Sequence, residues 1–114
     1  MPERDQRLFL ADIVEAIEKI ERYTKGMGLE NLLSDTKTMD AVVRNLEIIG
    51  EAVKNLDAKI IKAHPEVDWK GIAGMRDRLT HGYFGVDPKI VWETIQNKTP
   101  DLKNKIQNIL NKLE

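Results

Sequence analysis

The chain has 114 residues, a formal charge of −1, 41% hydrophobic residues and 32% charged residues. This length supports one domain with a single modest core, so we expect residues 1–114 to form one unit. The absence of cysteine excludes disulfides, zinc–thiolate sites and thiol nucleophiles. Because the net charge is close to zero, no global field attracts nucleic acid, which argues against a protein that coats or stores RNA.

The beginning of the chain, Met1-Pro2-Glu3-Arg4-Asp5, lacks the basic-then-apolar order of a signal peptide. No apolar run reaches the length of a membrane span. A chain without cysteine also fits a reducing compartment. We therefore expect a cytoplasmic protein.

The first predicted element is a helix from about Asp5 to Tyr23, which glycines 26 and 28 are expected to end. Its apolar residues recur at steps of three and four, the repeat of a helix with one buried face. They are Phe9, Ile13, Ala16, Ile17 and Ile20.

Leu32 and Leu33 are predicted to lie in a connecting segment, after which Ser34 or Asp35 caps a second helix. This helix has the clearest pattern in the chain, because its apolar residues keep the three-four rhythm for more than five turns. They are Met39, Val42, Val43, Leu46, Ile49, Val53, Leu56 and Ile60.

Gly50 lies in the middle of the second helix, where glycine costs about 1 kcal/mol relative to alanine. Such a glycine predicts close approach by another helix. The second helix is expected to kink or restart near residues 55–57 and to end before Pro65.

Asp68 is predicted to cap a third helix that runs from Trp69 to about His81. Gly71 and Gly74 suggest tight packing on one side of it, and glycine 82 is a natural stop.

The sequence Asp87-Pro88 predicts the start of another helix, in which Val91, Trp92 and Ile95 face inward. Pro100 is expected to begin the last helix, and its apolar residues are Leu102, Ile106, Ile109 and Leu113. The predicted fold is all-α, an up-and-down bundle of four main helices with an extra short helix.

The stretch 76–83, Arg-Asp-Arg-Leu-Thr-His-Gly-Tyr, concentrates groups that can act on a phosphodiester. Arg76 offers a charged fork of donors that fits phosphate oxygens, and His81 can exchange a proton near neutral pH. Five residues on a helix correspond to about 140° of rotation and roughly 7.5 Å of rise. The two side chains therefore do not share a face, but they can converge if His81 lies at a frayed helix end. This geometry permits a site without requiring one.

Structural roles are equally compatible with these residue types. A histidine at a helix C-terminus is favoured by the helix dipole and can satisfy free carbonyls. Asp77 and Arg78 are most simply surface residues, paired with Glu47 or Glu51 of the second helix.

The remaining aromatic and imidazole groups do not suggest a second site. His64 precedes a proline and is interpreted as a loop histidine, and we expect no metal site because no second ligand stands beside it. Trp69 and Trp92 are interpreted as core or interface residues, since so few aromatics make a base-stacking platform improbable.

The pattern Arg76-x4-His81-x-Tyr83 resembles the Arg-x4-His-x-Tyr signature of HepT-like toxins in the HEPN superfamily. The similarity extends over most of the chain, from about residue 8 to residue 113. Further similar blocks occur in the family's order at 44–52 (RNLEIIGEA), 69–77 (WKGIAGMRD), 83–87 (YFGVD) and 91–92 (VW).

This resemblance implies an HEPN-like fold and a metal-independent endoribonuclease, the toxin of a type VII-like toxin–antitoxin pair. Members are α-helical homodimers in which the two signature helices form one composite cleft, and they assemble further with their partner. By analogy, His81 acts as general base or general acid, and Arg76 binds the scissile phosphate, giving a 2′,3′-cyclic phosphate. Asp77 and Arg78 are candidate supporting residues for substrate binding. Asp77 departs from the family, which commonly has asparagine there, and this leaves its role open.

The resemblance also implies a minimal nucleotidyltransferase antitoxin that transfers AMP onto the signature tyrosine. Tyr83 is therefore the expected AMP acceptor. An adenylate there adds bulk and phosphate charge where RNA must lie. Mg-ATP is required by the partner, and we expect no cofactor for this chain.

Two other functions remain open at this point. The chain could be a non-catalytic helical dimer that binds a nucleotidyltransferase and is modified by it, a reading that the near-neutral charge favours. It could also be a plain structural bundle in which residues 76–83 provide only a cap and an ion pair. Glu47 and Glu51 either brace Arg76 or face water, and periodicity does not decide between these roles.

Overall fold

The computed structural model describes residues 5–75, 79 and 85–113. The regular elements in these ranges are helices joined by turns, which confirms the predicted all-α fold class. In chain order they are α1 (Gln6–Tyr23), α2 (Leu29–Leu33), α3 (Thr36–Lys54), α4 (Ala58–Ala63), α5 (Trp69–Ala73), α6 (Pro88–Glu93), a π-helical turn (Thr94–Lys98) and α7 (Thr99–Leu113).

The centre of the fold is the packing of α1 against α3, and α7 covers a second side of α1. Asp5 begins α1, because its carboxylate accepts a hydrogen bond from the Arg7 backbone N–H at 2.9 Å. The apolar stripes meet in one core with almost no solvent exposure. Its fully buried large side chains on these three helices are Leu10, Ile13, Ile17, Ile20, Leu46, Ile49, Ile106 and Ile109.

The segment between α1 and α3 is not a simple connection, so this part of the prediction was wrong. It contains the short helix α2, in which Leu32 is fully buried and Leu33 is 48% exposed. Five residues show too little periodicity to separate a short helix from a loop. The burial of Leu32 depends instead on packing against α3 and α6.

The predicted cap and break of the second helix are confirmed. Asp35 accepts hydrogen bonds from the Thr38 backbone N–H at 3.0 Å and from the Thr38 hydroxyl at 2.7 Å. Helix α3 ends at Lys54, and α4 begins at Ala58 after a turn. The turn between the two helices covers residues 55–57, where the sequence predicts a kink or restart.

Two predictions about glycines have different outcomes. Gly50 is buried, and a Cβ atom there would lie 3.3 Å from the Ile72 carbonyl oxygen, so α3 and α5 do approach closely. At Gly71, a Cβ atom would instead collide with the Asp68 carboxylate, which caps the same helix. The need for glycine at 71 is therefore local, set by the cap and not by a second helix.

The last third of the chain follows one helical path from Pro88 to Leu113. Asp87 caps α6 by accepting from the Lys89 backbone N–H at 2.9 Å, as predicted. The last helix, α7, begins at Thr99, one residue before the predicted Pro100, and the π-helical turn leads directly into it. Leu113, the last apolar residue of the pattern in this helix, is 41% exposed, because the end of α7 extends beyond the core.

None of the helices in the described part of the chain is long and apolar enough to cross a bilayer.

Replacing Leu32 by alanine should destabilise the protein by about 2–5 kcal/mol, because it removes a fully buried side chain and leaves a cavity. The matched substitution of the exposed neighbour, Leu33→Ala, should change stability by less than about 0.5 kcal/mol. Urea unfolding followed by circular dichroism measures both. Equal effects of the two substitutions would show that α2 does not pack as described.

The Asp35 cap predicts a pH dependence of stability. Hydrogen bonds from the Thr38 hydroxyl and then the Thr38 backbone N–H lower the pKa of Asp35 below its usual 3.8. A depressed folded-state pKa gives stability that is present above the unfolded-state pKa and is lost as pH falls through the folded-state pKa.

Asparagine at this position keeps an oxygen acceptor but does not titrate. Asp35→Asn should therefore lose less stability than the parent between neutral pH and about pH 3. Urea midpoints of the two proteins at both pH values test this, and parallel losses would contradict it.

Candidate active site

The five predicted site residues, Arg76, Asp77, Arg78, His81 and Tyr83, lie outside the described residues. The structure describes the residues on either side of the signature and Leu79 within it. These residues define how the chain enters and leaves the stretch 76–83.

The chain is firmly held as it approaches the signature. The Asp68 carboxylate accepts a hydrogen bond from the Gly71 backbone N–H at 3.0 Å and so begins α5. Trp69 is 6% exposed, and its indole N–H donates to the His64 carbonyl oxygen at 2.9 Å. Met75, the residue directly before Arg76, is buried. The entry to the signature is therefore anchored by a cap, an indole hydrogen bond and apolar burial.

The chain is held again within and after the signature. Leu79 is 1% exposed, so its side chain lies in the core. Its carbonyl oxygen accepts a hydrogen bond from the Asp87 backbone N–H at 3.1 Å. Asp87 also caps α6, and Gly85 has a φ of +85°, a conformation that favours glycine. This bond holds residues 79 and 87 together at the two ends of the stretch that contains His81 and Tyr83.

Helix α3 packs beside α5, the helix that leads into the signature. Gly50 approaches the Ile72 carbonyl oxygen, and Glu47 lies one helical turn before Gly50 on the same side. Glu47 is half-buried. Glu51 is exposed, and its Oε1 lies 3.8 Å from Lys54 Nζ of the same helix. Of the two acidic residues considered in the sequence, Glu47 is thus the less exposed.

The second histidine has a structural position. His64 ends α4, its carbonyl accepts from Trp69, and its Nδ1 lies 3.2 Å from Glu66 Oε2. The pKa of Glu66 is lowered, first by a hydrogen bond from its own backbone N–H and then by the His64 ring. Within the described ranges, no three histidine, aspartate or glutamate side chains are grouped to hold a metal ion. His64 lies directly after α4, in the connection to α5, which is the predicted loop position.

A cavity that the sequence did not predict lies beside Met75 and Leu79. It measures about 240 Å3 and lies between α5, the π-helical turn and α7. A π-helical turn depends on hydrogen bonds five residues apart and leaves no residue pattern that can be recognised in advance. The threonines at 94 and 99, whose hydroxyls donate to carbonyls four residues earlier, were the only available local signal.

Comparison with known proteins identifies several close relatives. "Putative RNase MJ0127" of Methanocaldococcus jannaschii is 45% identical over 114 residues, covering 100% of this chain and 94% of the relative. "Probable ribonuclease HepT" of Thermococcus cleftensis is 46% identical over 106 residues, covering 93% of this chain and 96% of the relative. "Putative RNase TTE0752" of Caldanaerobacter subterraneus is 45% identical over 106 residues, with coverage of 93% and 95%.

No solved structure matches the chain. The sequence profile described as "Ribonuclease HepT-like" matches residues 13–109, a range that contains the complete signature and both segments that anchor it. With a match over most of its length and full-length relatives above 40% identity, the chain belongs to the HepT-like ribonuclease family.

Proposed function

We propose that the protein is a metal-independent endoribonuclease that acts as the toxin of a toxin–antitoxin pair. The observation that carries this proposal is the intact Arg76-x4-His81-x-Tyr83 signature inside the family match over residues 13–109. The match to this chain covers nearly the whole length of the relatives named as ribonucleases, which supports an RNA substrate.

The proposed chemistry is transfer of the phosphodiester to the adjacent ribose hydroxyl. A basic imidazole of His81 takes the proton of the 2′-hydroxyl, whose oxygen attacks phosphorus, or a protonated His81 gives its proton to the leaving 5′-oxygen. The bond from phosphorus to the 5′-oxygen breaks, leaving a 2′,3′-cyclic phosphate and a free 5′-hydroxyl. Arg76 stabilises the charge that grows on the phosphate oxygens.

The anchored residues around the signature support this assignment. Catalytic groups must be held in a productive geometry, because small displacements strongly reduce rate. Met75 and Leu79 are buried one residue before Arg76 and two residues before His81. The bond between the Leu79 carbonyl and the Asp87 N–H adds a second fixed point. Rigid flanks of this kind suit an active site better than an unconstrained surface loop.

Homodimer formation is part of the proposal. A single chain carries a formal charge of −1 and has no net attraction for RNA. A dimer that brings two signature helices together would surround one RNA strand with two copies of Arg76 and His81. Arg78 would add to this local positive charge, whereas Asp77 would either orient Arg76 or oppose the substrate.

Control by adenylylation completes the proposal. The partner is a minimal nucleotidyltransferase that uses Mg-ATP. The Tyr83 phenolic oxygen attacks the α-phosphate of ATP, pyrophosphate leaves, and the phenolic proton is lost to a base. The added adenylate brings negative charge and bulk beside Arg76 and His81, which blocks the RNA backbone.

The second candidate is a non-catalytic helical dimer that serves only as a docking and modification target. The net charge of −1 is the observation that favours it. The two functions differ in what His81 does, because only the ribonuclease needs its imidazole.

The unmodified protein, purified without its partner, should cleave labelled RNA in EDTA and leave 2′,3′-cyclic phosphate ends. His81→Ala and Arg76→Ala should each reduce the cleavage rate by roughly 100-fold or more, since each removes a group that acts in the transition state. Gel analysis of end-labelled RNA measures rate and product together.

The control variant is His64→Ala, which removes the other histidine at the end of α4 and should cleave RNA at the parental rate. Cleavage that survives His81→Ala would contradict the assigned role of His81. If the folded parent dimer cleaves none of the tRNA, mRNA and rRNA substrates, the docking function is favoured.

Incubation with the purified nucleotidyltransferase and Mg-ATP should increase the intact mass of the protein by one or more adenylyl groups and abolish RNA cleavage. Tyr83→Phe should gain no mass, because phenylalanine has no nucleophilic oxygen. Mass spectrometry of the intact protein gives the result directly.

Tyr23→Phe provides the matched control, since Tyr23 is the other tyrosine and is 41% exposed on α1. It should be modified like the parent. A Tyr83→Phe protein that still gains adenylyl mass would overturn the assignment of Tyr83.

A further inference from the structure

The cavity between α5, the π-helical turn and α7 has an interior of aliphatic and thioether groups. Its volume is about 240 Å3, and it opens to solvent on one side. No described residue that lines it is aromatic. The apolar walls are Val67, Ile72, Met75, Leu79, Ile90 and Leu102. These walls suit an aliphatic body and offer no platform for stacking a nucleobase.

Most polar groups around the cavity already have partners. Asp68 accepts from the Gly71 N–H, and the hydroxyls of Thr94 and Thr99 donate to backbone carbonyls. Lys105 pairs with Asp101 at 3.0 Å and donates to the Glu66 carbonyl at 3.0 Å. These groups close the rim without being available to a ligand.

Asn97 and Lys98 differ from the other rim residues. Both lie on the π-helical turn, both are exposed, and neither side chain has a hydrogen bond or ion pair with any residue in the described ranges. Single π-helical turns are costly and occur frequently at functional sites. Here the turn brings one cation and one amide to the mouth of an apolar cavity.

We propose that this cavity binds a small amphipathic monoanion, a carboxylate with an aliphatic chain of about eight carbons. The chain would occupy the apolar interior, and the carboxylate would accept hydrogen bonds from Lys98 and Asn97. The carboxylates of Asp68 and Asp101 at the same rim disfavour a polyanion such as a nucleotide or RNA. The site is thus separate in chemistry from the proposed RNA cleft.

The cavity lies next to residues that anchor the signature. Met75 and Leu79 form part of its wall and also anchor the chain on either side of Arg76. A ligand in the cavity would therefore contact the two side chains that hold the chain on either side of Arg76. Binding itself does not require RNA cleavage, so the two proposals can fail independently.

The test uses sodium octanoate as the probe and octan-1-ol as its uncharged analogue. Methyl NMR spectra of the unaltered protein should show octanoate-dependent shifts of Met75, Leu79 and Ile90, with methyls outside the cavity lining, such as those of Leu8, unchanged. Shifts spread evenly over the surface, or no shifts, would overturn the proposal without any variant.

Calorimetric titration then separates the contributions of charge and cavity. Lys98→Gln should weaken octanoate binding by roughly tenfold and leave octan-1-ol binding unchanged, because only the carboxylate uses the cation. Lys89→Gln, at an exposed lysine of α6 outside the cavity, is the matched control and should bind octanoate as the parent does. Equal effects of the two substitutions would contradict the role of Lys98.

A cavity-filling substitution provides a last check. Ile90→Phe adds volume at a half-buried wall position and should abolish binding of both probes. Circular dichroism confirms that the variant is folded. Unchanged binding by folded Ile90→Phe would place the ligand elsewhere and refute the proposal.

Discussion

The close approach of α3 to α5 at Gly50 is the constraint that fixes the helix by which the chain enters the signature. A Cβ atom at this position would lie 3.3 Å from the Ile72 carbonyl oxygen, closer than most such contacts. Glycine in the middle of a helix costs about 1 kcal/mol relative to alanine. The close packing that Gly50 permits offsets this cost. This contact fixes α5, the helix that leads into the signature, against the core helix α3.

The rest of the fold makes that contact rigid. Helix α3 is held by its extensive packing against α1, and α7 covers a second side of α1. The signature segment is then attached to this core by Met75 and Leu79, and to α6 through the Leu79–Asp87 hydrogen bond. Close packing in protein interiors transmits displacement instead of absorbing it. Fixed points therefore flank the stretch 76–83, which carries the predicted site residues.

Ion pairs hold two of the lysines of α7 in the described surface. Lys103 lies 2.7 Å from Glu21 and ties α7 to α1, and the Glu21 carboxylate raises the pKa of Lys103. Lys105 and Asp101 make a second such pair on α7. In the proposed function, local attraction for RNA would come from the arginines of the signature, brought together by two chains.

The sequence by itself determined the long helices, their caps and the family. Asp35, Asp68 and Asp87 were recognisable because a cap bonds to a backbone N–H only two or three residues away. The signature residues were also identified from the sequence, because their chemistry and spacing are local. Tertiary structure alone decided the burial of Leu32, the exposure of Leu113, the π-helical turn and the cavity beside it. The burial of Leu32 and the cavity depend on which distant helix lies opposite, and local periodicity carries no information about that partner.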